Sequence, residues 1–268
     1  MNRDLMHGAE VKALVRDAYR NVPPTTAAVA RKLYRPEDLA GIPLSAVQRA
    51  LGVADHLRFA DVRPGETVLD VGCGGGIDTI LAARRTGPSG HVIALDFLPE
   101  MLARTSGAAR EAGLENVEPL EGEMEAIPLS NDSVDLIISN GVINLSSRKA
   151  RVLAECARVL RPGGGLCVSD LTVRQDDLPP EILTQPAAWA GCVAGALAEG
   201  DFITKLERAG FQDIRIPHRQ PMSIDDCALY PLFTPGVIRL MKELIPPDRH
   251  QSVAVAIVIT ASLGAPAH

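Results

Sequence analysis

The chain has no run of Lys and Arg: 27 basic side chains stand against 33 acidic ones for a net charge of −6, scattered without a basic tract. The electrostatic footprint that phosphate backbones require is missing, which excludes a nucleic-acid partner. The opening MNRDLMHGAEVKAL has no apolar core of signal-peptide type. The longest apolar stretch, near Ser252–Gly264, is too short to cross a bilayer as a helix and reads as a buried β-branched strand. A membrane is therefore not expected as a partner, and the expected location is cytoplasmic. The five cysteines, at 73, 156, 167, 192 and 227, form no CxxC pair and no zinc-ligand spacing, so no metal site is expected and reduced thiols are. Internal repeats and low-complexity tracts are absent too. Hydrophobic residues at 46% and charged residues at 22% are an ordinary globular mix, enough to fold without help.

From Thr67 onward, short β-branched runs alternate with helical patterns, the signature of βαβ units and an α/β fold. Strands are expected at 67–71, 91–95, 117–121, 134–139 and 165–170. The segment Arg148–Leu160 carries Val152, Cys156 and Val159 at helical spacing and stops at Arg161-Pro162-Gly163-Gly164. Residues 1–60 read as a helical N-terminal cap, with helices at Glu10–Tyr19 and Ser45–Phe59 separated by Asn21-Val22-Pro23-Pro24 and Pro36–Pro43. A core over 61–217 follows, then an insertion at 218–250 expected to cover the active site, and a last strand and tail at 251–268. The strands at Asp213–Ile216 and Ser252–Thr260 are joined by about 35 residues containing six prolines, with a helix expected at Pro235–Leu244.

The most informative stretch is Glu66-Thr67-Val68-Leu69-Asp70-Val71-Gly72-Cys73-Gly74-Gly75-Gly76-Ile77-Asp78. Glycines between a buried strand and a helix let backbone N–H groups approach a nucleotide-like ligand, although tight turns also use glycine. A dinucleotide fingerprint G-x-G-x-x-G needs a third glycine at 77, which is Ile. Asp70, two residues before the first glycine, would repel a pyrophosphate but suits the ammonium of an aminoacyl group. S-adenosylmethionine carries such a group and no phosphate. Asp96, after His91-Val92-Ile93-Ala94-Leu95, can accept from both ribose hydroxyls or cap a helix. Phe97 and Met101 follow it; Gly122, Glu123, Met124 and Glu125 end the third strand and can face the adenine. Asn140, Gly141 and Leu145 stand at the carboxyl edge of the fourth strand, where ligands of open α/β sheets bind. The expected cofactor contacts are thus Asp70, Gly72, Cys73, Gly74, Gly76, Asp96, Phe97, Met101, Gly122–Glu125, Asn140, Gly141 and Leu145.

With Val68-Leu69-Asp70-Val71-Gly72-Cys73-Gly74, Asp96 and Arg158-Val159-Leu160-Arg161-Pro162-Gly163-Gly164 in view, residues 60–215 resemble a class I S-adenosylmethionine-dependent methyltransferase. The resemblance implies a Rossmann-like, mostly parallel seven-stranded sheet with helices on both faces, and methyl transfer to a small molecule by a monomer or homodimer. Within that superfamily, Ile138–Leu145, Gly191–Leu197 and Tyr34–Pro43 are most similar to the arsenite methyltransferases. Members bind As(III) through several thiolates, a soft-ligand choice. Cys192 matches one such position, but Leu51-Gly52-Val53-Ala54 stands where relatives have Leu-Gly-Cys-Gly, and Gly141 replaces another family cysteine. The resemblance therefore implies the cofactor more strongly than the metalloid. The transfer itself asks mainly for alignment of nucleophile and methyl group, which is why no catalytic triad is needed.

Acceptor-side candidates are Cys192, Asn140, Trp189 and Tyr19, with Cys227, His218 and Tyr230 behind them. Cys192 is either a site thiol or a small buried residue, Trp189 either a pocket wall or core, and His218 either a base or structural. Cys156 and Cys167 fall on helix and strand patterns and read as core.

Overall fold

The computed structural model describes residues 8–20, 22–25, 27–173 and 178–264. Residues 1–7, Asn21 and Thr26 of the expected cap, 174–177 of the expected core and 265–268 of the expected tail lie outside that range. Seven strands, β1 Thr67–Val71, β2 His91–Asp96, β3 Val117–Glu121, β4 Val134–Asn140, β5 Leu160–Thr172, β6 Phe211–Met222 and β7 Ala254–Leu263, form one sheet in the order β3-β2-β1-β4-β5-β7-β6. The pairs from β3 through to β5 are parallel, and β7 runs antiparallel between β5 and β6. This is the Rossmann-like α/β fold the motifs implied.

The inner strands are continuous apolar runs because the sheet is covered on both faces. Alternate residues serve alternate layers: Val68, Leu136 and Ile138 pack on one side, Leu69, Ile93 and Ile137 on the other. The edge strand β3 instead exposes Glu118, Pro119 and Glu121, the charge and proline that suit an edge. Twelve helices are described: α1 Gly8–Arg20, α2 Ala28–Leu33, α3 Pro36–Leu39, α4 Leu44–Val47, α5 Ile77–Thr86, α6 Pro99–Glu111, α7 Lys149–Val159, α8 Pro180–Leu183, α9 Pro186–Ala190, α10 Glu199–Arg208, α11 Ile224–Cys227 and α12 Pro235–Leu244. α7 and α10 pack Val152, Leu153, Phe202 and Leu206 onto the face that holds Leu69 and Ile137. The opposite face carries α5, the N-terminal segment through Val29, Tyr34 and Leu57, and the late helices through Ile224, Cys227 and Met241. No described helix is long and apolar enough to cross a membrane.

Three expectations change. The helix expected at Ser45–Phe59 is instead the single turn α4 and a 3-10 turn at His56–Arg58, joined by extended chain. Asn140 is the reason: its Oδ1 accepts from Val53 N–H at 2.8 Å and its Nδ2 donates to the Ala54 carbonyl at 2.8 Å, so the backbone groups a helix would use are held by a side chain. The strand expected at Asp213–Ile216 runs on through Pro217 and Pro221 to Met222, because β6 is an edge where a missing N–H costs little. It therefore crosses the limit expected at 217. Third, the stop at Arg161–Gly164 is no separate turn. β5 starts at Leu160, and its register against β4 shifts between Val134 and Leu136, with Gly163 at φ +78° absorbing the irregularity.

Candidate functional site

The strand order reverses between β1 and β4, and there the carboxyl ends of the strands border a cavity of about 360 Å³. Open α/β sheets bind their ligands at such a point. The floor comes from Asp70 and Gly72–Gly76 at the end of β1, Asp96–Leu98 at the end of β2, Gly122–Glu125 after β3 and Asn140–Val142 at the end of β4. The roof comes from Val11, Val15 and Tyr19 of α1, Tyr34, Ala46 and Arg49–Gly52.

In the glycine loop, Gly72, Gly74 and Gly76 have φ of +76°, +52° and +91°, a region that favours glycine. A Cβ at Gly72 would fall 2.5 Å from the Val142 side chain, whereas one at Gly74 would meet nothing nearer than 3.9 Å. Gly72 is thus needed for packing and conformation, and Gly74 keeps the backbone bare toward the cavity. Asp96 Oδ2 accepts from the Gly74 N–H at 3.2 Å and Oδ1 from the Leu98 N–H at 3.0 Å. Asp96 is not the cap of α6, whose N-cap is Leu98 with no side-chain bond; it instead holds the turn that precedes the helix, and it lines the cavity. Burial pushes its pKa up, against those N–H groups.

Asp70 is 2% exposed and accepts from the Thr79 hydroxyl at 2.5 Å. Burial first, then the neighbouring Asp78 and Asp96, push its carboxyl up to about 8, with the Thr79 bond opposing. Asp78 Oδ1 accepts from the Tyr34 hydroxyl and Oδ2 from Asn140 Nδ2, both at 2.9 Å. With Ser169 donating to Asn140 Oδ1 at 2.7 Å, every polar atom of Asn140 is engaged. Asn140 therefore ties sheet to roof, a structural task beside its place on the cavity wall.

Of the remaining expected cofactor contacts, Cys73, Phe97, Met101, Gly122, Glu123, Met124, Glu125, Gly141 and Leu145 all line the same cavity. Glu123 is ion-paired with Lys12 of α1, and Glu125 accepts from the Ser146 hydroxyl at 2.6 Å. The Arg16 guanidinium lies 5.6 Å above the Phe97 ring.

The acceptor-side candidates are less united. Tyr19 lines the cavity, but its hydroxyl donates to the Ala190 carbonyl at 2.9 Å, and burial followed by Cys192 drives its pKa up. Cys192 lies behind the wall, buried, at φ +62°, with its Sγ donating to the Gly141 carbonyl at 2.9 Å. Val53 also packs on Gly141, its Cγ1 3.2 Å from where a Cβ would stand. The three places 53, 141 and 192 converge, yet only one bears a thiol. Trp189 does not line the cavity; it is half-buried, packed against Gly195 at the margin of the core. Cys227 is fully buried and pushed up to about 12 by that burial. His218 stacks on Phe59 with ring centroids 5.7 Å apart, outside the cavity lining. No residue of the 218–250 insertion lines the cavity either; Tyr230 donates to the Gly52 carbonyl at 2.9 Å, so the insertion buttresses the roof from behind instead of covering the site itself. The late helices are committed to the core beneath.

Sequence reasoning did not assign Tyr34, Arg49, Asp78, Arg104 or the apolar side chains of α1 to the site. Asp78 carried a legible signal, an acid one residue into the helix after the glycine loop. The roof residues carried none without knowledge of how the cap folds back.

A bare glycine backbone between two buried acids at the switch point of a doubly wound sheet defines a Rossmann-like nucleoside site of the class I methyltransferase type. The comparisons with known proteins agree. A methyltransferase domain family matches residues 62–210, and the chain belongs to that family. Family membership implies use of S-adenosylmethionine. An arsenite methyltransferase of Halobacterium salinarum is 40% identical over 183 residues, covering 68% of this chain and 46% of the relative. A demethylmenaquinone methyltransferase of Listeria welshimeri is 37% identical over 126 residues, 47% of this chain and 52% of the relative. Among solved structures, an arsenic(III) S-adenosylmethionine methyltransferase from Chlamydomonas reinhardtii matches with a TM-score of 0.67 at 31% identity, over 91% of this chain and 75% of that one. The aligned region spans about half the length of these curated relatives.

Proposed function

We propose that the chain transfers the methyl group of S-adenosylmethionine to a small-molecule acceptor, and that this acceptor is an organic nucleophile and not arsenite held by three thiolates. The observation that carries the first half is the pair Asp70 and Asp96, buried on either side of a backbone-only loop and lining one cavity. The residues present fit the cofactor. Asp96 takes the ribose hydroxyls, Asp70 takes the ammonium, and Gly74 leaves room for the chain between them. The bound sulfonium supplies an activated methyl group. The protein then has to exclude water and align the nucleophile, a task for Tyr19, Val15, Asn140 and Leu145, which line the same cavity.

The second half rests on the thiol count. Val53 and Gly141 carry no sulfur, and the Cys192 thiol is engaged with a carbonyl, its pKa raised by burial. A buried, raised thiol is a poor source of the thiolate a metalloid needs. The second reading, arsenite methylation, is favoured by the 40% identity to an enzyme of that name. Incubation of the chain with methyl-labelled S-adenosylmethionine and either arsenite plus a thiol or a panel of phenols, quinols, amines and thiols tests both. Label is expected in the organic panel and at background on arsenic. Rapid arsenic methylation that Cys192→Ser abolishes would overturn the choice of acceptor.

A further inference from the structure

His56 is a buried imidazole with nothing to bond. It is 0% exposed, and among the described residues neither ring nitrogen meets a hydrogen-bonding partner. Buried polar side chains are rarely left so, because each orphaned atom costs free energy. The 3-10 turn that carries the ring is docked through its carbonyls instead: Cys167 of β5 donates its Sγ–H to the His56 carbonyl at 3.3 Å, and Arg85 of α5 reaches the Leu57 carbonyl. His56 Nδ1 lies 4.0 Å from Asp78 Oδ1, a gap that a shift of about 1 Å closes to a hydrogen bond. His56 stands behind the cavity wall, but Asp78 lines it, and the bonds that Asp78 accepts from Tyr34 and Asn140 leave a lone pair free on each oxygen.

The charged and titratable groups about the ring are Asp78 and Arg85 from α5, Cys167 from β5, and Asp55 and Arg58 from its own stretch of chain. Burial lowers the pKa of His56, Asp78 opposes, Arg85 adds to the fall and the Ala54 backbone opposes. Burial raises Asp55 to about 6. The resting ring is therefore neutral near pH 7, with a lone pair to give.

Methyl transfer changes the charge that this wall must balance. Asp70, Asp78 and Asp96 line one cavity, and a sulfonium bound there is discharged in the reaction. As the methyl–sulfur bond breaks, its electron pair stays on sulfur and one positive charge leaves a buried, acidic site. An acceptor with an O–H or N–H bonds the methyl carbon with its lone pair, keeps the electrons of the O–H or N–H bond and gives up the proton. Retained beside the acids, that proton replaces the lost charge.

We propose that Asp78 takes this proton from the methyl acceptor and hands it to His56, whose imidazolium pairs with the Asp78 carboxylate until the products leave. The proposal rests on the reading of the cavity as a methyltransferase site, and it narrows the acceptor to a hydroxyl or amine, as against a thiolate that has already lost its proton. Asp78 touches the acceptor; His56 is a positioning residue that acts through it.

Two measurements on the full chain test this. Nuclear magnetic resonance of the histidine rings, with His56→Asn to assign the signal, follows the ionisation of His56 with S-adenosylmethionine or S-adenosylhomocysteine bound. A neutral ring at pH 7 is expected beside the sulfonium, and a pKa about one unit higher beside the uncharged thioether. Equal pKa values in the two complexes, or an imidazolium beside the sulfonium, overturn the relay. The second measurement is label transfer from saturating S-adenosylmethionine to the phenols, quinols, amines and thiols of the acceptor panel. Wild-type kcat should fall as the pH drops through the His56 ionisation. His56→Asn should lose about tenfold or more in kcat with a hydroxyl or amine acceptor and lack that acid limb. Its cofactor KM and its affinity for S-adenosylhomocysteine should stay within about twofold, which also shows that it is folded. Unchanged kcat, transfer to thiols alone, or a raised cofactor KM at constant kcat overturns the relay and leaves the methyltransferase standing. Where no acceptor takes label, the two ring pKa values decide. A chain that binds neither adenosyl compound overturns the cofactor reading itself.

Discussion

The floor and the roof of the cavity are built on opposite principles. The floor is the carboxyl edge of buried parallel strands, with Asp70 at 2% and Asp96 at 8% exposure held by backbone and hydroxyl donors. Its geometry follows from the sheet. The roof between Ala28 and Val47 is three helices of six, four and four residues, none with a side-chain cap, and too short to persist alone. It is held from outside: Arg84 donates to the Ala40 and Gly41 carbonyls, Arg85 to the Leu57 carbonyl, Tyr230 to the Gly52 carbonyl, and Asn140 to and from 53–54. A site divided in this way can form its cofactor bed with the sheet and complete its lid through a few polar side chains. Changes in the floor should then abolish binding while leaving the fold, whereas changes in the docking bonds should loosen the roof.

That contrast is sharpest at Asp96. Asp96→Ala is expected to weaken S-adenosylhomocysteine binding about a hundredfold, as two charge-assisted bonds are lost, with little change in far-ultraviolet circular dichroism. A variant that binds normally would remove the ribose role. Asn140→Ala should cost about 2 kcal/mol of unfolding free energy, because it strips partners from Val53, Ala54 and Asp78 at once. Limited proteolysis should then cut within 28–58 before the sheet; equal protection of both regions would break the division between floor and roof.

A third expectation concerns Asp70, whose carboxyl is raised to about 8 by burial. A ligand ammonium favours the ionised form, so binding below that pKa releases a proton. Affinity should rise about tenfold from pH 6 to pH 7 and level off near 8. Without ligand the sign reverses for stability. The folded chain holds this proton more tightly than the unfolded chain, whose carboxyl is near 3.8, so Asp70 subtracts from stability as pH rises between 3.8 and about 8. Asp70→Asn should flatten both profiles, and a pH-independent affinity in the wild type would deny Asp70 its role.

The floor was legible in the sequence because each of its parts is local. A strand, four glycines and an acid adjoin within Asp70–Gly76, and Asp96 ends the next strand of the alternation. The roof was not, because its decisive contacts join residues far apart. Asn140 meets Val53 across 87 positions, and Tyr230 meets Gly52 across 178. The helix expected over Ser45–Phe59 failed for the same reason, its backbone partners taken by Asn140. Trp189 shows the converse: as the single tryptophan it invited a place at the site, but the neighbouring Gly195 makes room for its half-buried ring against the edge of the core.

The cavity as proposed takes an aminoacyl nucleoside carrying a sulfonium or thioether. A calorimetric titration of the wild-type chain with S-adenosylmethionine, S-adenosylhomocysteine and NADH tests it directly. One-to-one binding of the two adenosyl amino acids, with proton release below pH 8 and no heat from the dinucleotide, is the expected result. No measurable affinity for either, or a preference for NADH, would contradict it.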